Sequence, residues 1–226
     1  MLGEKLVGEA RHPLAGGEVA HRQGRAGRQI ADHVSLWGSL LLFRREFDQY
    51  INLRPARLMP GIIAPVVRRD GSARAPGEID FYIVRENTEG EYSEVGGRLF
   101  AGQPGEIAIQ EAVFTRVGIE RIARYAFELA GTRTGRVASS TKSNGIVHTM
   151  PFWDEVVDEV AKDYPDVELT RFHVDALAAL LVLDPGRFDV ILGSNLFGDI
   201  LSDLAAALVG SIGIAPCGNI DPTRRN

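Results

Sequence analysis

The sequence predicts an α/β fold, and three observations carry the prediction. The second half of the 226-residue chain alternates extended apolar runs with helical ones. Each extended run ends in a charged or amide side chain. A composition of 45% hydrophobic and 24% charged residues supplies core material for one large domain or two small ones.

The elements follow in order. Residues 1–30 hold six glycines and five basic side chains with little sustained apolar periodicity, so a poorly ordered arm is expected there. Those glycines neither follow a strand nor open a helix, which removes a phosphate-loop reading. From His33 to about Ile51, HVSLWGSLLLFRREFDQYI repeats its apolar residues at helical spacing behind Asp32 as N-cap. ARLMPGIIAPVV is expected as a strand closed by Pro60-Gly61, followed by the polar turn RRDGSARAPGE. IDFYIVREN reads as a buried strand that ends in charge. Tyr92 to Phe100 and Glu106 to Val113 flank AGQPG and predict a hairpin, a candidate clasp between subunits.

A helix over about Arg116 to Ala130 then precedes the strand GRVASST. A second, Pro151 to Lys162, precedes DVELTRFHV, and a third, Ala176 to Leu183, precedes FDVILGS. The last helix is opened by NLFGDILSDLAA.

Composition excludes some partners. A net charge of −5 and a pI near 5.6 argue against a broad nucleic-acid surface, while local arginines remain suited to small anions. No apolar run approaches the roughly 20 residues of a membrane span, so no membrane partner is expected. Cys217 is the single cysteine, so no intrachain disulfide can form. With no basic-then-apolar leader, the cytoplasm is the expected compartment.

Chemistry collects at the predicted strand ends, where open α/β sheets place their ligands. Arg85 follows FYIV, Lys142 follows VASST, Asp175 follows TRFHV and Asn195 follows VILGS. Arg44 and Arg54 bracket a turn, and with Arg85 they offer three guanidiniums for a carboxylate; taken singly, each reads equally as a surface arginine. Asp175, Asp199 and Asp203 offer three hard oxygen donors suited to Mg²⁺ or Mn²⁺. The lone cysteine and scattered histidines give no zinc spacing. Asp199 and Asp203 lie four apart, one helical face, so from the residues alone they either hold a cation or form a solvated face.

HVSLWGSLL, RREFDQYINLRPARLMPG, FYIVRENTEGEY, TKSNGI, HVDALAA and SNLFGDILSDL together resemble successive motifs of the metal-dependent decarboxylating 2-hydroxyacid dehydrogenases. That family includes isocitrate, isopropylmalate, tartrate and D-malate dehydrogenases. The resemblance runs from about Asp32 to Pro222, and DHVSLWGSLL and RENTEGEYS look most like the tartrate/D-malate branch. It implies an isopropylmalate-dehydrogenase-like fold in which residues 31–54 belong to the first lobe, 55–214 form the substrate and dimer lobe, and 215–226 begin the return to the cofactor lobe. The family's PGDGIG-like opening and VHGSAPD-like loop have no counterpart here, so a chain truncated at both ends, keeping a remnant of the cofactor lobe, is the expectation.

Roles follow by the same resemblance. Arg44, Arg54 and Arg85 match the carboxylate-binding arginines, and Leu40 and Leu41 lie on the helix that meets the substrate's variable group. Trp37 on that helix favours compact substrates such as D-malate or tartrate, or simply packs. Tyr92 matches the tyrosine that protonates the enolate, and Lys142 the lysine that takes the hydroxyl proton. Asn144, in the same TKSN, matches a cofactor contact, with NAD as the expected cofactor. Asp175, Asp199 and Asp203 match the metal ligands. Lys142 and Asp175 come from the partner subunit in the family, so a homodimer with shared sites is implied. The alternatives are a non-catalytic dimerising remnant and an isopropylmalate or isocitrate specificity.

Overall fold

In the computed structural model, residues 41–210 and 216–223 are described. The predicted arm, Trp37, Leu40 and residues 33–40 of the first predicted helix lie outside them.

A six-stranded mixed sheet organises the chain. Its strands are β1 (Ile51–Arg57), β2 (Asp80–Glu86), β5 (Arg136–Thr141), β6 (Glu168–His173), β7 (Val190–Gly193) and β8 (Gly218–Ile220), in spatial order β6-β5-β7-β2-β1-β8. The first four in that order run parallel, and β1 lies antiparallel to both of its neighbours. Alternation sends successive side chains to opposite faces. Val190 and Leu192 enter one core, while Ile191 between them enters the other.

Helices cover both faces. The first core is closed by α2 (Arg116–Gly131) and α3 (Thr149–Ala161), which contribute Ile122, Phe127, Trp153 and Val157. Thr115 caps α2 by accepting from Gly118 N, and the Trp153 indole donates to Ser139 Oγ at 3.1 Å, so the ring is buried without an orphaned N–H. The second core is closed by α4 (Val174–Leu183) and α5 (Asn195–Leu208) through Leu177, Leu181, Leu201 and Leu208.

Three expectations are corrected. Within the described residues the first helix is only α1 (Leu42–Glu46) and does not reach Ile51. Asp48, at φ +45°, turns the chain, its carboxylate accepts from Arg121, and Ile51 already pairs with Glu86 and Ile220. The strand expected over ARLMPGIIAPVV lies earlier, as INLRPAR. Pro60 and Pro65 deprive that apolar stretch of ladder donors. Pro55 is tolerated because β8 reaches only Leu53, so among the described residues nothing pairs with the outer edge of β1 at the proline. Finally, the predicted hairpin is present but shorter, β3 (Gly96–Leu99) with β4 (Ile107–Gln110), and every residue of it is exposed.

Candidate active site

Arg85 is the buried centre of the site, 2% exposed near the end of β2. A cation is costly there unless its donors are met. Asn195 Oδ1 accepts from Arg85 Nε at 3.0 Å and from Nη2 at 2.7 Å, and the Asp199 carboxylate accepts from Nη1. Asn195 and Asp199 are one turn apart on α5, so a single helical face meets the guanidinium. Gly198 permits the approach: a Cβ there would stand 2.5 Å from that of Arg85. Burial pulls the Arg85 guanidinium below its ordinary range, and the Asp199 charge opposes that pull.

The RENTEGEY loop ties the start of α5 in place. The Glu91 carboxylate accepts from Ser194 Oγ at 2.7 Å and from Leu196 N at 3.0 Å, serving the orphan donors of the helix N-terminus. Asn195 Nδ2 donates to the Glu89 carbonyl at 2.9 Å. On the opposite side of the sheet, the Glu89 carboxylate accepts from Thr115 N and Oγ1 at the start of α2. The loop therefore brings Tyr92 to the site, where its hydroxyl donates to Asp199 Oδ2 at 2.8 Å and the Arg85 guanidinium lies 5.6 Å from the ring centre. Burial, then the hydrogen bond to Asp199 and its charge, pushes the Tyr92 phenol up to about 12.

Two more arginines complete the cationic side. Arg44, in α1, is 6% exposed and its Nε has no partner among the described residues. Burial, followed by the Arg85 and Arg54 charges, lowers it to about 10, which still leaves it protonated at neutral pH. Arg54 on β1 donates from Nε to Asn52 Oδ1 at 2.6 Å. Mutual repulsion among these neighbouring guanidiniums, two of them buried, is relieved by an anion, so this cluster suits a carboxylate.

The open question of the two helical aspartates receives a divided answer. Asp199 is no solvated charge, since Arg85 and Tyr92 hold one oxygen each. Asp203, one turn on, keeps its outer surface exposed and accepts no hydrogen bond among the described residues. Desolvation on its inner side, then the Asp199 carboxylate, raises its pKa, while Arg54 and Arg85 oppose the shift. A carboxylate without a donor beside a second carboxylate fits a divalent cation, and hard oxygens fit Mg²⁺ or Mn²⁺.

Lys142 and Asp175 form a separate pair. Lys142 follows β5, Asp175 opens α4 after β6, and Nζ lies 2.7 Å from Oδ1. The Lys142 hydrogen bond holds the Asp175 carboxyl below the usual range. At about 4.8 Å per strand, β5 is roughly 10 Å and β6 roughly 14 Å from β2 across the sheet. Among the described residues no three His, Cys, Asp or Glu side chains converge to hold an ion. One chain therefore does not gather Asp175 with Asp199 and Asp203. Of the remaining predicted positions, Leu41 is half-buried at the start of α1, and Asn144 is exposed in the turn after β5.

Sequence reasoning flagged Asn195 by its place at a strand end but missed Glu89, Glu91, Asn52, Asn87 and Asn219. The available signal for the glutamates was three carboxylates within residues 86–91, more than an exposed turn needs. The asparagines gave no signal, because their partners are brought together only by sheet register.

The chain matches the model of the isocitrate/isopropylmalate dehydrogenase family over residues 27–225. It is 57% identical over 196 residues to D-malate dehydrogenase [decarboxylating] of Escherichia coli (strain K12), covering 86% of this chain and 53% of that protein. It is 54% identical over 198 residues to tartrate dehydrogenase/decarboxylase of Pseudomonas putida, with 87% and 53% covered. The chain thus spans about half the length of the curated relatives it matches. Among solved structures it is similar to isocitrate dehydrogenase from Methylococcus capsulatus, with a TM-score of 0.71, 35% identity, and 87% of this chain and 53% of that one covered.

Proposed function

The chain belongs to the isocitrate/isopropylmalate dehydrogenase family, and from that premise we propose that it serves metal-dependent oxidative decarboxylation of a small 2-hydroxy diacid, D-malate or tartrate in type, with NAD. The observation that carries the reading is the crowding of Arg44, Arg54 and Arg85 around Asp199 and Tyr92. The arginines take the substrate carboxylates. Asp199 and Asp203, with Asp175 of a second copy, hold Mg²⁺ or Mn²⁺, and Asn144, whose amide is unengaged among the described residues, meets NAD. When bound, the cation supplies charge stabilisation at the 2-oxygen, and NAD accepts the hydride.

The chain's own side chains handle the protons. Lys142, supplied across a homodimer and acting as the neutral amine once Asp175 turns to the cation, accepts the proton of the substrate hydroxyl as the C2–H hydride leaves. Loss of carbon dioxide from the resulting β-keto acid leaves an enolate, and Tyr92 protonates its carbon. A phenol raised to about 12 is fully protonated at neutral pH and so available as that donor. The exposed hairpin, with Leu99, Phe100, Ile107 and Ile109 uncovered, supports the dimer. The free Cys217 is compatible with a cytoplasmic setting, and no described helix is long and apolar enough to cross a membrane.

The test is NADH formation from D-malate, tartrate and isopropylmalate with Mn²⁺ and NAD, alongside calorimetry of Mn²⁺ and D-malate binding. D-malate or tartrate is expected to rank first. Binding without turnover favours a non-catalytic dimerising protein, and isopropylmalate in first place assigns the chain to another branch.

A further inference from the structure

Arg54 and Arg85 are held in one manner. Each donates its Nε–H to an asparagine Oδ1, Arg54 to Asn52 at 2.6 Å and Arg85 to Asn195 at 3.0 Å. They differ in what stands behind the asparagine. Asn195 is fixed by the start of α5, whereas Asn52 heads a line of amides drawn from three parts of the chain. Asn52 Nδ2 donates to Asn219 Oδ1 at 2.7 Å, and that oxygen also accepts from Asn87 Nδ2 at 3.2 Å. Asn87 Nδ2 donates as well to the Gln49 carbonyl at 2.8 Å.

The direction of every amide in the line is set by its ends. A guanidinium only donates, so Asn52 must turn its oxygen to Arg54 and its nitrogen outward. A backbone carbonyl only accepts, so Asn87 must turn its nitrogen to Gln49. Asn219 Oδ1 is the one acceptor that serves both. Asn87 leaves its own oxygen buried and unpaired among the described residues, so the nitrogen contacts dictate its orientation. Sheet register places the line on the face of the site: Asn52 stands opposite Arg85 on β2 and opposite Asn219 on β8. Asn52 and Asn87 are 1% and 2% exposed, so neither is free to reorient toward water.

We propose that Asn52, aimed by Asn219 and Asn87, is a positioning residue that presents Arg54 to the substrate carboxylate end-on, through its two terminal nitrogens. With Nε occupied, side-on recognition through Nε and Nη2 is closed, and the terminal nitrogens of Arg54 bond to nothing among the described residues. Arg85 has the opposite arrangement, with its side-on edge given to Asn195 and Nη1 to Asp199. The two arginines therefore differ: Arg85 spends part of its donors bracing the site and has one hydrogen left on each terminal nitrogen, whereas Arg54 keeps both terminal nitrogens whole for the ligand. This role for Arg54 rests on the substrate-site reading above.

The experiment follows the arginine Nε–H groups by ¹⁵N NMR, together with calorimetry of D-malate binding in the presence of Mg²⁺. In the unmodified chain the Nε protons of both Arg54 and Arg85 exchange slowly with solvent. Asn219→Ala, at a half-buried position, is expected to lose that protection at Arg54 alone and to weaken D-malate about tenfold. If turnover is present, the loss appears in KM with kcat little changed. Asn219→Asp, which keeps an oxygen acceptor for both neighbouring amides, restores the protection and shows that lost packing is not the cause. Arg54 protection unchanged in Asn219→Ala overturns the proposal, as does lost protection with D-malate affinity intact. An unmodified chain that binds no D-malate overturns the substrate-site reading instead, and the exchange rates still decide whether the amides hold Arg54.

Discussion

The Arg85 cluster and the Lys142 pair sit at the same end of the sheet yet are built in opposite ways. Arg85 is buried, with its donors met by two residues of α5 and with Tyr92 completing the network. The Lys142–Asp175 pair is a lone ion pair, its side chains 30% and 68% exposed. The first half is finished within one chain, because burying a cation demands that its partners be present at folding. Among the described residues the second half pairs only with itself, and it is free to meet another molecule at little cost. Proposed ligands for one ion are thus split between a rigid frame and an open edge, the arrangement expected of a site closed by a second copy.

The comparison is broken most directly at Arg85. Arg85→Leu leaves Asn195 Oδ1 and Asp199 Oδ1 without their donor, and a loss of about 1–3 kcal/mol is expected in urea unfolding. Lys142→Ala should leave the urea midpoint unchanged while lowering NADH formation at least about 100-fold. An equal stability loss in the two variants would erase the distinction.

Mixing sharpens it. If the two halves meet across a dimer, Lys142→Ala chains combined with Asp199→Asn chains regain activity, since hybrid dimers carry one intact site. No recovery after subunit exchange would place all the chemistry in one chain. The smallest effect is spectroscopic. In Asp199→Asn, the Tyr92 titration followed at 295 nm should move down from about 12 toward the ordinary value of 10.0, because the acceptor carboxylate and its charge are gone while burial remains. The sign fixes a stability window as well. A folded-state pKa above the unfolded one contributes stability that is whole below about pH 10 and is lost as pH rises through about 12. The Asp199→Asn chain should lose less of its stability over that range than the unmodified chain.

Much of this was legible along the chain. IDFYIVREN appears as β2 and SNLFGDILSDL as the strand end and α5, since a buried strand and a capped amphipathic helix each carry a local pattern. ARLMPGIIAPVV misled because apolar content resembles a strand while its prolines forbid the ladder, and because INLRPAR becomes β1 only through pairing with β2 and β8. The arginines were found by type and position, yet their division into a brace and a grip was invisible, because it depends on which asparagine meets each Nε.

What the sequence determined by itself was the α/β alternation, the chemical types gathered at the strand ends and the family. Those depend on periodicity and on short motifs, both local along the chain. What only the tertiary structure decided was which charges are spent and which remain open. Asp199 is engaged and Asp203 is not, although the two are identical side chains one turn apart on the same helix. The reason is distance in space: desolvation and hydrogen bonding act over a few ångströms, and the residues that supply them to Asp199 come from positions more than 100 residues earlier.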